Sequence, residues 1–289
     1  MNKTIHFIIN PKSGAKKNNN ILPLIEKHIS NKWEVETHLT RHAGHGRLIA
    51  SYLAKEGAYM IVAVGGDGSV NEIASSLVDH DTLLGIIPTG SGNGFAHHFN
   101  IPENLVAALK LIDNGNHVLS DIGKINEQYF ASNVGIGLDA LVAKKFKFYH
   151  SRGFWSYIKI ATSQYFKFNP INTKIIVDGA ELIIENALLI SVANTSEFGN
   201  RFQIAPNNSH ADGQLELVIF TKPPLLILPF TLFRFFTKKI RNSNYVSHQL
   251  TSNITFQKFD HIQKDGDWLD TDMKEVKLSV HEQCLKVVC

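Results

Sequence analysis

The 289-residue sequence predicts an α/β domain built on a parallel sheet, followed by a mainly antiparallel, β-sandwich-like domain. Three observations predict it. In the first part, short apolar runs alternate with helical stretches, the pattern of parallel strands covered on both faces. After about Ser120 strands dominate, and alternation such as Val276, Leu278, Val280 suits antiparallel strands with one buried face. Glycine-rich connections in the first part fall at the carboxyl ends of strands, where such sheets bind ligands.

The elements follow in order. "TIHFIIN" (Thr4–Asn10) is a short apolar strand ending in a turn, and a helical stretch covers Ile21–Ile29. "WEVETHLT" (Trp33–Thr40) alternates as a strand, then a helix lies within Gly46–Lys55, a strand at Tyr59–Val64, a helix over Asn71–Val78 and a strand at Leu83–Ile87. "DIGKINEQYFASNVGIG" reads as two strands around Asn126–Glu127, and a helical, aromatic segment runs through Phe168. Strands are then expected at Thr173–Val177, Leu182–Ala193, Leu215–Phe220, Asn253–Phe256, Val276–Val280 and Leu285–Val288. The division places residues 1–121 in the α/β domain and 122–289 in the β domain.

Composition narrows the classes. A hydrophobic content of 44% and a charged content of 19% are ordinary for a globular protein. A net charge of +3 is too small to argue for nucleic acid, so any basic surface must be local. "MNKTIHFIINPKSG" lacks the features of a signal peptide, and no apolar window has the length of a membrane span. Cys284 and Cys289 fall on opposite faces of a strand, which argues against a disulfide and for a reduced, cytoplasmic setting. None of the fourteen histidines has a ligand spacing with cysteines or carboxylates, so they read as surface or loop residues.

Three loops carry the chemistry. "VAVGGDGSVNEI" joins a buried strand to a helix through Gly65, Gly66, Asp67, Gly68 and Ser69. Glycines there let a ligand touch the backbone, and amides at a helix N-terminus attract phosphate. Asp67 alone would repel phosphate, so it needs a metal ion or a proton to handle. "INPKSGAKKN" and "IIPTGSGNGFAHHF" follow two further strands, and the latter brings Thr89, Gly90, Ser91, Gly92 and Asn93 into the third loop. Each loop alone reads as a tight turn; three at one sheet edge point to a phosphate site. There is no GxxxxGK[ST] motif, and "GSGNGF" lacks the dinucleotide spacing.

In this order "NPKSG", "GGDGSVNEI", "PTGSGNGFA", "SNVGIGLDA", "DGQLELVI" and "KDGDWLD" resemble the diacylglycerol kinase catalytic family, which includes bacterial lipid kinases and sphingosine and ceramide kinases. The matching pieces run from Asn10 to Asp270. The resemblance implies an NAD kinase/diacylglycerol kinase-like fold, ATP and Mg²⁺ in an inter-domain cleft, and γ-phosphate transfer to a lipid hydroxyl such as that of diacylglycerol or a sphingoid. Carried over by position, Asn10, Pro11, Lys12, Ser13, Gly14, Thr40, Gly65, Gly66, Asp67, Gly68, Ser69, Val70, Asn71, Glu72 and Ser91 line the nucleotide site. Asp67 acts in a magnesium–water network, and Asp267, where many members carry a glutamate, accepts the proton of the attacking hydroxyl. The same carry-over gives Ser209, Asp212 and Gln214 as ligands of a structural magnesium. Ordinary turns remain the alternative for both acidic segments.

The sequence departs from the family pattern in the third loop. Gly94 stands where diacylglycerol-phosphorylating members carry an acid, which weakens diacylglycerol as acceptor and leaves the lipid open. Ser69 and Ser91 keep hydroxyls where threonine is usual. A lipid substrate implies peripheral contact with the inner face of a membrane. Two segments mix aromatic or apolar with basic residues: Lys144–Phe168, with Lys144, Lys147, Arg152, Phe154 and Trp155, and Pro223–Phe236, followed by Lys238, Lys239 and Arg241. Packing on the β domain is the alternative for each, and an edge strand leaves a homodimer open. An NAD kinase-like enzyme and a nucleotide- and lipid-binding protein without catalysis are the competing functions.

Overall fold

The computed structural model of the chain describes residues 3–14, 21–149, 154–270 and 272–289. Contacts divide the chain into two units, residues 1–122 with 282–289 and residues 123–281.

The first unit is a parallel sheet with helices on both faces. Its strands are β1 (Lys3–Ile9), β2 (Trp33–Leu39), β3 (Met60–Gly65) and β4 (Leu83–Pro88), and its helices α1 (Ile21–His28), α2 (His45–Lys55), α3 (Asp67–Ala74), α4 (Gly94–His98) and α5 (Leu105–Asn114). β1 pairs in parallel with both β2 and β3, and β3 with β4. β3 and β4 are buried along their whole length, as continuous apolar runs in a covered sheet must be, whereas β2 is a largely exposed edge strand. Ile5, Phe7 and Ile9 pack with Ile21 and Ile25 of α1 and with Ala108, Leu109 and Ile112 of α5. The α5 helix starts at Asn104, whose side chain accepts the Ala107 N–H at 3.1 Å, and stops at Gly115 in the left-handed conformation.

The second unit is built from antiparallel strands: β5 (His117–Ile125, which begins in the first unit), β6 (Gln128–Phe130), β7 (Asn133–Gly137), β8 (Ile171–Val177), β9 (Ala180–Ala193), β10 (Leu215–Thr221), β11 (Val246–Thr251), β12 (Asn253–Gln257), β13 (Ile262–Lys264), β14 (Asp267–Leu269) and most of β15 (Glu275–Val288). Among the described residues, the α-helices α6 (Leu138–Lys147), α7 (Phe154–Lys167) and α8 (Leu228–Phe236) accompany them. β9 is long enough to pair with β8 along its first half and with β7 and β10 along its second. Its inward residues join Ile175, Leu217, Phe256 and Leu278 in one core, while a second core gathers Val142, Phe220, Phe235 and Ile240 beneath the helices.

The sequence reading differs in several places. Helix α3 begins at Asp67, four residues before the expected Asn71, because Gly66 acts as its N-cap and its carbonyl accepts the Ser69 and Val70 N–H groups at 2.9 and 3.1 Å. Three strands, not two, lie in the 120–137 stretch. The two strands expected at Val276–Val280 and Leu285–Val288 are one, β15, whose alternation is masked by the polar run His281-Glu282-Gln283 with Gln283 at φ 47°. Residues 282–289 belong to the first unit rather than the second, since Lys286 and Val287 pair in parallel with Leu83 and Leu84. Neither Cys284 nor Cys289 forms a disulfide among the described residues.

Candidate functional site

The three loops of the first unit are bonded to one another. Asn10, just past β1, donates from Nδ2 to Ser69 Oγ at 3.0 Å, and its own N–H donates to Val64 O at 2.9 Å. Asn10 Oδ1 accepts the Lys12 N–H at 3.0 Å and its backbone carbonyl accepts the Ser13 N–H at 3.1 Å, so the turn after β1 is wound around this one residue. Ser13 Oγ in turn accepts the Thr89 hydroxyl at 3.3 Å.

Two close approaches explain the glycines. A Cβ on Gly90 would lie 2.5 Å from the Cα of Gly66, so the second and third loops meet backbone against backbone. Gly14 sits at φ +54°, where a Cβ would fall 2.2 Å from Thr89 O; no L side chain fits there.

Asp67 fastens the third loop. Its Oδ2 accepts the Asn93 N–H at 2.8 Å, and the amides of Gly94 and Phe95 also face the carboxylate. Burial pushes the Asp67 carboxyl above the ordinary range, and these three amides pull it part of the way back. Oδ1 is sealed from solvent without a hydrogen-bond partner among the described residues. A hard-oxygen acceptor left over in this way fits the magnesium–water role expected for Asp67. Asn93 stands at φ 55° and donates from Nδ2 to Gly90 O at 3.0 Å, which completes the turn. Sequence reading passed over this residue as one of five in a loop; an Asn next to glycines is the signal that marked it.

The remaining predicted residues fall around this cluster. The Thr40 N–H donates to Ile9 O at 2.9 Å, and Glu72 Oε1 accepts the Gly44 N–H at 2.7 Å, which ties α3 to the start of α2. Val70 and Asn71 are buried. Pro11, Lys12, Gly68 and Ser91 are exposed, and the N-terminus of α3 presents the Asp67 and Gly68 amides, whose positions precede the first intrahelical donors.

In the second unit the motifs "SNVGIGLDA" and "KDGDWLD" are stitched together. Asp265 and Gly266, at φ 52° and 82°, form the two-residue turn that joins β13 to β14, with Lys264 opposite Asp267. The Asp265 carboxylate reaches back and accepts the N–H groups of Ser132 at 2.7 Å and of Ala131 and Asn133 at 3.2 Å. Buried Gln263 donates to Asn133 Oδ1 at 2.6 Å and to Asp139 Oδ2 at 3.2 Å, and accepts the Gly266 N–H at 2.9 Å. Burial pushes Asp139 up to about 7 and Asp265 to about 6, against the hydrogen bonds each accepts. Sequence reading missed Asp139, Gln263 and Asn133, because the contact that makes them a unit joins residues far apart in the chain. Asp267 itself is exposed at the start of β14.

The proposed magnesium turn at Ser209, Asp212 and Gln214 is held by local bonds. Asp212 Oδ1 accepts the Gln214 N–H at 3.1 Å and Ser209 Oγ the Ala211 N–H at 3.4 Å, as in ordinary Asx and Ser turns. A different trio of ligating side chains lies on β1 and β2. His6 Nδ1 is 3.3 Å from both Glu36 Oε2 and His38 Nε2, and the last two are 3.8 Å apart. This corrects the reading of every histidine as a surface or loop residue: His6 is buried, and parallel register opposite Glu36 brings the trio together where linear spacing shows nothing.

Comparison with known proteins agrees with these motifs. The family model described as diacylglycerol kinase catalytic domain matches residues 4–125, and the one described as YegS C-terminal NAD kinase beta sandwich-like domain matches residues 132–289. The chain belongs to the diacylglycerol kinase catalytic-domain family. A diacylglycerol kinase of Bacillus subtilis is 32% identical over 235 residues, 77% of this chain and 75% of that protein. One from Mycobacterium tuberculosis is 30% identical over 69% of this chain, and the match spans 66% of that relative, just under two thirds of its length. A probable lipid kinase YegS of Shigella boydii is 31% identical over 66% of each chain. A solved structure of a putative diacylglycerol kinase from Bacillus anthracis superposes with a TM-score of 0.79 over 99% of this chain and 97% of that one, at 23% identity, which shows the shared fold. No helix among the described residues is long and apolar enough to cross a membrane.

Proposed function

We propose that the chain is an ATP- and Mg²⁺-dependent lipid kinase that transfers the γ-phosphate to a hydroxyl of a lipid. The observation that carries this reading is the bonding of the three glycine-rich loops at one edge of one sheet, with Asp67 and Asn93 as the clasp. Rigid backbone amides and the α3 N-terminus suit a triphosphate, whose charge must be met by fixed dipoles. Mg²⁺, when bound, neutralises phosphate charge, and Asp67 Oδ1 and the hydroxyls of Ser13 and Ser69 supply oxygens of the right class.

In the reaction the lipid hydroxyl oxygen forms a bond to the γ-phosphorus as the bond to the ADP oxygen breaks. Asp267 takes the hydroxyl proton. General-base help of this kind is worth ~10²–10⁴ in rate. The relatives named diacylglycerol kinase and lipid kinase support the lipid class of the acceptor. Gly94 leaves the third loop without a carboxylate, so a lipid other than diacylglycerol fits this reading equally.

The test gives purified protein labelled ATP and a panel of diacylglycerols, sphingoids and related lipids in mixed micelles. Transfer to one class is expected, with Asp267→Ala falling ~10²–10⁴-fold at unchanged nucleotide affinity. Nucleotide binding without transfer to any lipid sinks the proposal. Robust phosphorylation of NAD in a parallel reaction would replace it with the NAD kinase-like reading.

A further inference from the structure

Helix α8 is apolar on two opposite faces. Its inner face is fixed: Phe235 stacks on Phe202 with ring centroids 4.3 Å apart and meets Phe220 edge-on at 5.6 Å, and Thr231 is buried beside it. Its outer face repeats the helical spacing with large apolar residues. Phe230 and Phe233, at i and i+3, are 70% and 66% exposed; Leu226, 85% exposed, and Leu225 lie in the turn just before the helix, and Phe236 is exposed at its end. A helix on the surface of a unit normally turns polar residues outward, and a contiguous apolar face of this kind marks an interaction site.

Charge tells which kind of partner fits. From Leu217 to Phe259 the chain has no Asp or Glu, while it carries Lys222, Arg234, Lys238, Lys239, Arg241 and Lys258. Arg241 is paired with buried Glu216, and Lys222 donates to Phe168 O at 3.0 Å. Lys238 and Lys239, directly after the helix, are exposed. A bulky apolar wedge on an acid-free stretch of chain, followed by two exposed lysines, is complementary to an anionic bilayer surface, where tails take the wedge and headgroups the lysines.

The other basic–aromatic segment, Lys144–Phe168, is occupied differently. Lys144 Nζ and Lys147 Nζ lie 4.9 and 5.0 Å from the Trp268 ring, so these cations cover the second unit's own β14. Arg152 and the side chains of Phe154 and Trp155 lie outside the described residues.

We infer that the outer face of α8, with Lys238 and Lys239, is the surface by which this protein docks on an anionic lipid bilayer. The inference deepens the lipid-kinase reading and takes its purpose from it, yet its test needs neither ATP nor turnover. Full-length protein is floated with vesicles of phosphatidylcholine alone or mixed with phosphatidylglycerol. Wild type binds the mixed vesicles, and Phe230→Glu with Phe233→Glu lowers the partition roughly a hundredfold. Lys238→Gln with Lys239→Gln lowers it roughly 30-fold on mixed vesicles only. Circular dichroism melts check that these exposed substitutions leave the fold intact.

Equal binding by wild type and the phenylalanine variant, or no binding by wild type, overturns the inference. So does a dimer in analytical ultracentrifugation that the same variant dissolves, which would make the face a self-interface. Transfer to a detergent-dispersed short-chain lipid separates the two readings: wild type that floats but transfers nothing keeps the dock and loses the kinase, and the converse keeps the kinase alone.

Discussion

Asp139 offers the sharpest quantitative test of the structure. Its carboxyl is buried and held up to about 7, well above the ordinary carboxylate range, although it accepts a bond from Gln263 and faces the Ala140 amide, and its Oδ1 lacks a hydrogen-bond partner among the described residues. Between pH 4 and 7 the folded chain keeps a proton there that the unfolded chain has released. The unfolded state binds fewer protons in that window, so stability falls as pH rises, by about 1.4 kcal/mol per unit, and levels off above pH 7. The whole excursion is about 4 kcal/mol. Asp139→Asn keeps the shape and an acceptor for Gln263 but cannot ionise, so it loses this slope. Urea titrations of both proteins from pH 4 to 8 are expected to show the variant gaining about 4 kcal/mol on the wild type across the range. Other shifted carboxyls, Asp67 and Asp265 included, titrate in both proteins and cancel in the difference. Parallel stability profiles would refute the placement of a proton on a buried Asp139.

Gly14→Ala forces a Cβ toward Thr89 O at a positive φ, and is expected to cost about 1–2 kcal/mol or more in thermal melts and to weaken nucleotide binding in titration calorimetry. Asp67→Ala strips the acceptor from the Asn93 amide and exposes its neighbours Gly94 and Phe95 to the same loss; a fall of about 2–3 kcal/mol and a weaker nucleotide complex are expected, and unchanged affinity would sever Asp67 from the loop cluster. Asp265→Ala leaves the Ala131, Ser132 and Asn133 amides without their carboxylate, so melts should drop by about 3 kcal/mol with Asp267 itself untouched.

The parallel unit was readable because its evidence is local. Apolar runs at Ile5–Ile9, Met60–Val64 and Leu83–Ile87 are too continuous for half-exposed strands, and glycine loops punctuate their ends. The start of α3 was misplaced for the same local reason: Gly65, Gly66 and Gly68 look like loop, and only the hydrogen bonds to the Gly66 carbonyl show that the helix has already begun. Strand β11, "VSHQLT", carries no apolar alternation and owes its form to β10 alongside it. Within the site, the glycines and Asp67 were legible from the motif, whereas the division of labour between the Asp67 oxygens was not, because it depends on the amides of a loop that arrives from β4. The Gln263–Asn133–Asp139 group and the His6–Glu36–His38 trio were invisible for a related reason: the first joins β13 to β7 and to the start of α6, the second joins β1 to β2 through register, and no linear spacing encodes either.

The return of residues 282–289 to the first unit bears on how the chain is made and handled. Without Lys286 and Val287, β4 would present a bare parallel edge, a ready template for pairing with other chains. A ribosome adds these residues after every other element of both units, so the first unit waits, unfinished, through synthesis of the second. Expressing residues 1–122 alone should therefore give a sticky fragment, and a peptide or fusion restoring the last strand should rescue its solubility.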